Sequence, residues 1–117
     1  MGYNEKINYV EFPARDLDAT KKFFSTVFGW CFDDFGEDYT AFANQGLNGG
    51  FYRSNLVSLA DEGAALIVFY SQALEKVQLE VEQAGGIIVK PIFAFPGGRR
   101  FQFTEPSGNE FAVWSDR

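Results

Sequence analysis

One pattern occurs twice in this chain: a strand, an amphipathic helix, a glycine and three further strands. At one constant offset Val10 meets Ile67, Phe12 meets Phe69, Leu17 meets Leu74 and Gly29 meets Gly86. The identities are few, but the order of elements is the same. A unit of one sheet and one covering helix cannot bury its apolar face alone, so the two copies must fold against each other. At 117 residues the result is the size of one domain and can bury a core without disulfides. The expected organisation is a single domain, 1–117. Its first βαβββ module spans about 5–53, its connector 54–63 and its second module 64–116.

Local signals fill in the elements. Ile7 to Pro13 alternates as a strand, with Val10 and Phe12 on one side and Tyr9 and Glu11 on the other. Asp16 and Asp18 are candidate N-caps for a helix with an apolar stripe of Leu17, Thr20, Phe24 and Phe28. Gly29 is placed to end that helix. Trp30–Phe35 and Tyr39–Ala43 read as strands around a turn at Gly36, and a third strand runs from about Asn48 to Arg53. In the second copy, Ala65–Tyr70 is an apolar strand. Leu74, Val77, Val81 and Ala84 form a stripe stopped by Gly85 and Gly86. Ile87–Val89 or slightly beyond, Arg100–Thr104 and Glu110–Trp114 complete the set. Turns fall at Pro96-Gly97-Gly98 and Pro106-Ser107-Gly108-Asn109.

Composition excludes several functions. The net charge of −6 argues against a nucleic-acid partner, whose phosphates require a positive surface. There is no histidine, so the commonest metal ligand and the usual neutral-pH base are both missing. With one cysteine, Cys31, no intrachain disulfide can form. Cys31 sits in an apolar strand and reads as a buried small side chain. Neither a signal-peptide pattern nor a membrane span is visible, so a cytoplasmic protein without a membrane partner is expected. Fourteen phenylalanines exceed what a core this small needs, which leaves some for a pocket wall or a dimer face.

Two stretches carry a family likeness: INYVEFPARDLDATKKFFSTVFGW near the start and FQFTEPSGNEFAVWS at the end. They resemble the opening strand, turn and helix, and the closing hairpin, of the vicinal oxygen chelate superfamily. That group includes glyoxalase I, extradiol dioxygenases, fosfomycin-resistance proteins and bleomycin-binding proteins. The resemblance implies an α+β fold in which two tandem βαβββ modules form an incomplete, cup-shaped mixed barrel with helices outside. It also implies a ligand in the cup and a homodimer. In metal-dependent members four ligands stand on the first and last strands of the halves. Carried onto this sequence, those positions are Tyr9, Leu66, Gly50 and Ala112. They do not make a divalent-metal site, so no metal and no other cofactor is expected.

Strand parity then suggests what else lines the cup. Tyr9 brings Glu11 and Pro13 with it, and Ala112 brings Glu110 and Trp114. Phe101 and Phe103 should face the helices, which leaves Arg100, Gln102 and Thr104 on the concave side. The candidate ligand-binding set is Tyr9, Glu11, Arg100, Gln102, Thr104, Glu110 and Trp114. Glu11 and Glu110 could also sit on the solvated face of a half-exposed sheet, with Arg100 bridging to either. Two functions remain open. One is a metal-independent small-molecule binding protein whose acidic aromatic cup holds an aromatic or cationic ligand. The other is a glyoxalase-like lyase or isomerase with Glu11 or Glu110 as general base.

Overall fold

In a computed structural model, which describes residues 4–117, the chain forms two four-stranded mixed sheets and two helices, with no closed barrel. The first half contains β1 (Tyr9–Ala14), α1 (Leu17–Phe28), β2 (Phe32–Asp34), β3 (Tyr39–Gln45) and β4 (Leu47–Arg53). The second contains β5 (Ile67–Tyr70), α2 (Leu74–Gln83), β6 (Ile87–Phe95), β7 (Gly98–Thr104) and β8 (Glu110–Ser115). The strand orders are β1-β4-β3-β2 and β5-β8-β7-β6, the same topology twice. In each half the first and last strands pair in parallel, and the other pairs are antiparallel.

The helix ends follow from their capping residues. The Asp16 carboxylate accepts a hydrogen bond from the Ala19 N–H at 3.0 Å, which satisfies one orphan donor of α1. Gly29 has a φ of 72°, the left-handed conformation that ends a helix and that glycine adopts without strain. That reversal turns Trp30 into the core, so the alternating backbone points Cys31 outward. Cys31 is exposed rather than buried, and the strand after it is confined to Phe32–Asp34. The first strand of the second hairpin is longer than expected and continues through Pro91 to Phe95. It lies at the sheet edge, where a proline costs no ladder bond, and register shifts between Ile88 and Phe93 take up the irregularity.

Phenylalanines join the halves. Phe12 of β1 meets Phe111 of β8 with ring centroids 5.0 Å apart, and Phe28 of α1 stacks on Phe69 of β5 at 4.3 Å. Phe24 contacts Trp30, Phe51 and Phe111, so one fully buried ring touches both sheets. Each such pair adds roughly 0.5–1.5 kcal/mol beyond the burial of its surface.

A second joint is polar and buried. The turn from Glu105 to Asn109 precedes β8. Glu105 accepts hydrogen bonds from the Thr20 hydroxyl of α1, the Ser107 N–H and the Asn109 carboxamide. Burial pushes the Glu105 carboxyl above its ordinary range, although these donors pull the other way. The Asn109 carboxamide also donates to the Pro13 carbonyl of β1 at 2.6 Å and accepts from the Ser58 N–H of the connector at 2.9 Å. One side chain thus fixes three segments. Asn109→Ala would leave a buried carbonyl and a buried carboxylate each short of a donor. It should lower unfolding stability by about 3 kcal/mol, read as a lower denaturant midpoint with an unchanged slope.

Candidate functional site

Strand register shows which positions of the two halves correspond. Glu11 of β1 lies opposite Gly50 of β4, and Val68 of β5 lies opposite Ala112 of β8. Tyr39 pairs with Tyr52, and Arg100 pairs with Trp114. Glu11 therefore corresponds to Val68, Gly50 to Ala112, and Tyr39 to Arg100. All of these alternate with residues buried against the helices, such as Phe12, Thr40, Phe51, Phe101, Phe103 and Phe111, so they line the opposite face of each sheet.

In the first half this face carries a chain of hydroxyls ending on a carboxylate. The Tyr9 and Tyr39 hydroxyls share a hydrogen bond of 2.6 Å, and the Tyr39 hydroxyl donates to Glu11 Oε2 at 2.9 Å. The Tyr39 ring lies where a Cβ on Gly50 would stand, so the absence of a side chain at position 50 is what lets the ring lie down. Burial, then the bonds to Tyr9 and Glu11, push the Tyr39 hydroxyl far above the ordinary tyrosine range. It is a fixed donor at any physiological pH.

The second half carries a different polar chain. Arg100 Nη2 donates to Gln102 Oε1 at 2.9 Å, and Gln102 Nε2 donates to Glu110 Oε2 at 2.7 Å. Glu110 Oε1 accepts from the Ala60 N–H of the connector at 3.1 Å, so both of its oxygens are engaged. Glu110 is only 6% exposed and is not on a solvated face. Arg100 makes no ion pair with either glutamate; neutral Gln102 stands between it and Glu110. Around this chain stand Phe93, Phe95, Tyr70 and Trp114. Thr104 pairs with Glu110 at the far end of the same ladder.

Each half thus assembles its own part of the expected set. Tyr9 and Glu11 are brought together by Tyr39, and Arg100, Gln102 and Glu110 by direct hydrogen bonds. Among the described residues no hydrogen bond or ion pair links the two clusters. Tyr39, Phe93, Phe95 and Tyr70 were absent from the sequence-based set. Tyr39 could have been found from its alternation with Thr40 and Phe42, which places it on the cup side. An apolar crevice of about 550 Å³ also runs between β1 and β5, with Val10, Phe12, Trp30, Phe42, Val68 and Phe69 in its walls.

The comparisons with known proteins agree with this architecture. The family model of the Glyoxalase/Bleomycin resistance protein/Dioxygenase superfamily matches residues 6–113, and the chain belongs to that superfamily. None of the curated proteins matches the sequence. Among solved structures, a glyoxalase-related enzyme from Fulvimarina pelagi superposes with a TM-score of 0.79 at 16% identity, covering 95% of this chain and 88% of that one. A glyoxalase/bleomycin resistance protein/dioxygenase family enzyme from Burkholderia phytofirmans PsJN gives 0.77 at 18% identity, covering 95% and 98%. The fosfomycin resistance protein FosX from Listeria monocytogenes gives 0.76 at 17% identity, covering 92% and 90%. At these identities the likeness is one of fold.

The metal that many members of such a fold carry does not fit the residues present. Tyr9 is occupied by Tyr39, Gly50 lies under the Tyr39 ring, Ala112 is fully buried, and Leu66 has no donor atom. Among the described residues there is no group of three or more His, Cys, Asp or Glu side chains placed to hold a metal ion.

The Tyr39 geometry has a spectroscopic consequence. In an alkaline titration of tyrosinate absorbance through the ordinary tyrosine range near about pH 10, Tyr39→Phe should leave the amplitude nearly unchanged, because Tyr39 titrates above that range. Loss of one tyrosine's amplitude would contradict the hydrogen-bonded hydroxyl.

Proposed function

We propose that this protein is a metal-independent small-molecule binding protein of its superfamily, taking a ligand with an aromatic body in its cup. One observation carries the reading. The stations where the fold can hold metal ligands bear Tyr9, Gly50, Leu66 and Ala112. Ordered polar chains framed by aromatic rings occupy the same faces. Mostly apolar walls with a few fixed polar groups are the usual form of a small-molecule site, and the polar chains framed by aromatic rings have that form. The exposed Glu11 carboxylate suits a cationic group on such a ligand. A homodimer belongs to the same proposal. β1 and β5 are terminal strands of their sheets, and each leaves one ladder edge unpaired among the described residues, which a second copy could cover.

A second reading rests on the Tyr9–Tyr39–Glu11 chain. A carboxylate held by a phenol that stays protonated can serve as a general base in an isomerase or lyase. Glu110, with both oxygens engaged, is less suited to that role than Glu11.

Two measurements test these readings. Titration of neutral, cationic and anionic aromatic compounds, followed by NMR shifts of the Trp114 indole, should show binding at one site per chain with Kd below about 1 mM. No binding, together with a glyoxalase-type turnover that Glu11→Gln abolishes, would support the enzyme reading instead. Light scattering should give twice the 13.1 kDa chain mass, and a monomer at micromolar concentration would remove the dimer.

A further inference from the structure

Among the described residues three cationic side chains are half-buried: Lys21, Arg99 and Arg100. Lys21 is paired with Asp34 at 3.0 Å, and Arg99 forms a two-pronged pair with Glu75. Arg100 alone among them has no carboxylate partner among the described residues. Its one hydrogen bond is to neutral Gln102, and its Nε–H is buried with no acceptor. A half-buried charge without a counter-ion, and with an unsatisfied donor, is costly to keep.

The internal repeat shows what is missing. Tyr39 and Arg100 hold the same station in the two halves. Across the sheet from Tyr39, over Gly50, stands the Glu11 carboxylate that Tyr39 binds. Across from Arg100, over Ala112, the corresponding residue is Val68. The second half therefore has the donor but no acid on the facing strand. The surroundings are aromatic: the Arg100 guanidinium lies 5.4 Å from the Phe93 ring centroid and 6.0 Å from that of Phe95, and Trp114 is its cross-strand neighbour. These rings lower the local dielectric and hold the guanidinium plane.

We infer that the second-half cup is an anion site in which Arg100 binds the carboxylate of an aromatic acid, in the place that Glu11 fills in the first half. This rests on the small-molecule reading above and specifies the ligand's charge there. Arginine donors favour a planar carboxylate over a neutral amide, since an N–H to an ionised acceptor is about twice as strong. Gln102 fixes the guanidinium from one side, because its own amide is oriented by Glu110. Phe93, Phe95 and Trp114 then offer faces for the aromatic body.

The test uses three probes of one shape: 2-naphthoate, 2-naphthamide and 2-naphthylmethylamine. Each is titrated into the full chain by NMR at low ionic strength, with Arg100→Met and Arg100→Lys as variants. Wild type should bind the naphthoate at least about tenfold more tightly than the amide, with shifts at the Trp114 indole. Arg100→Met should bring the two to parity. Arg100→Lys, which keeps the charge and loses the fork, should fall between them. Equal binding of amide and acid, preference for the amine, or an undiminished preference in both variants would overturn the carboxylate site. It would leave small-molecule binding intact. Failure of all three probes to bind wild type at about 10 mM would overturn both.

Discussion

The fold depends on a buried clasp at the start of the last strand. The Asn109 carboxamide reaches the carbonyl of Pro13 in the first half, the Ser58 N–H in the connector and Glu105 in its own turn. Glu105 in turn takes the Thr20 hydroxyl of α1. The Asn109, Glu105 and Thr20 side chains are buried, so each must keep its partner, and the register of β8 follows from that requirement. Glu110 is the next residue. Its backbone N–H is held by the Ser58 carbonyl and its carboxylate by the Ala60 N–H. The clasp that joins the halves thereby also sets the first residue of the second cup, and through Gln102 it orients Arg100. The phenylalanine contacts supply most of the apolar burial across the joint, but they are not directional. The hydrogen bonds choose one arrangement among those the rings would tolerate.

The two halves have kept a backbone and exchanged its chemistry. Corresponding stations hold Tyr39 and Arg100, Gly50 and Ala112, Glu11 and Val68. In the first half the donor and the acid are both supplied by the chain, and the site closes on itself. In the second the donor stands without its acid. The same ladder thus yields a self-satisfied cluster in one half and an incomplete one in the other. Such an asymmetry arises readily in a tandem repeat, because each copy needs only to preserve its packing face. The packing faces are indeed similar, with Phe12 and Phe69, and Leu17 and Leu74, at matching places.

Much of this was legible in the sequence where local chemistry decides. The Asp16 cap and the Gly29 stop follow from short-range rules, and the structure has both. Cys31 was misplaced because the turn after Gly29 changes which residue faces inward. β6 runs well past Val89 because Pro91 lies on an edge strand, where a proline is tolerated. The Tyr39–Glu11 bond and the hold of Glu105 on Thr20 lay beyond sequence reasoning. Each depends on contacts between segments far apart in the chain, which alternation patterns do not encode. The family likeness gave the fold, and the departures at Tyr9, Gly50, Leu66 and Ala112 gave the chemistry its direction.

We propose that the cup holds its ligand through side chains alone, with no metal at Tyr9, Gly50, Leu66 and Ala112. Calorimetric titration of metal-stripped protein with nickel, zinc, manganese and iron(II) tests it most directly. The account predicts no stoichiometric binding at micromolar concentration for any of the four. Clear one-to-one binding of any of them would contradict it, because these stations would then be supplying donors that the present geometry does not contain.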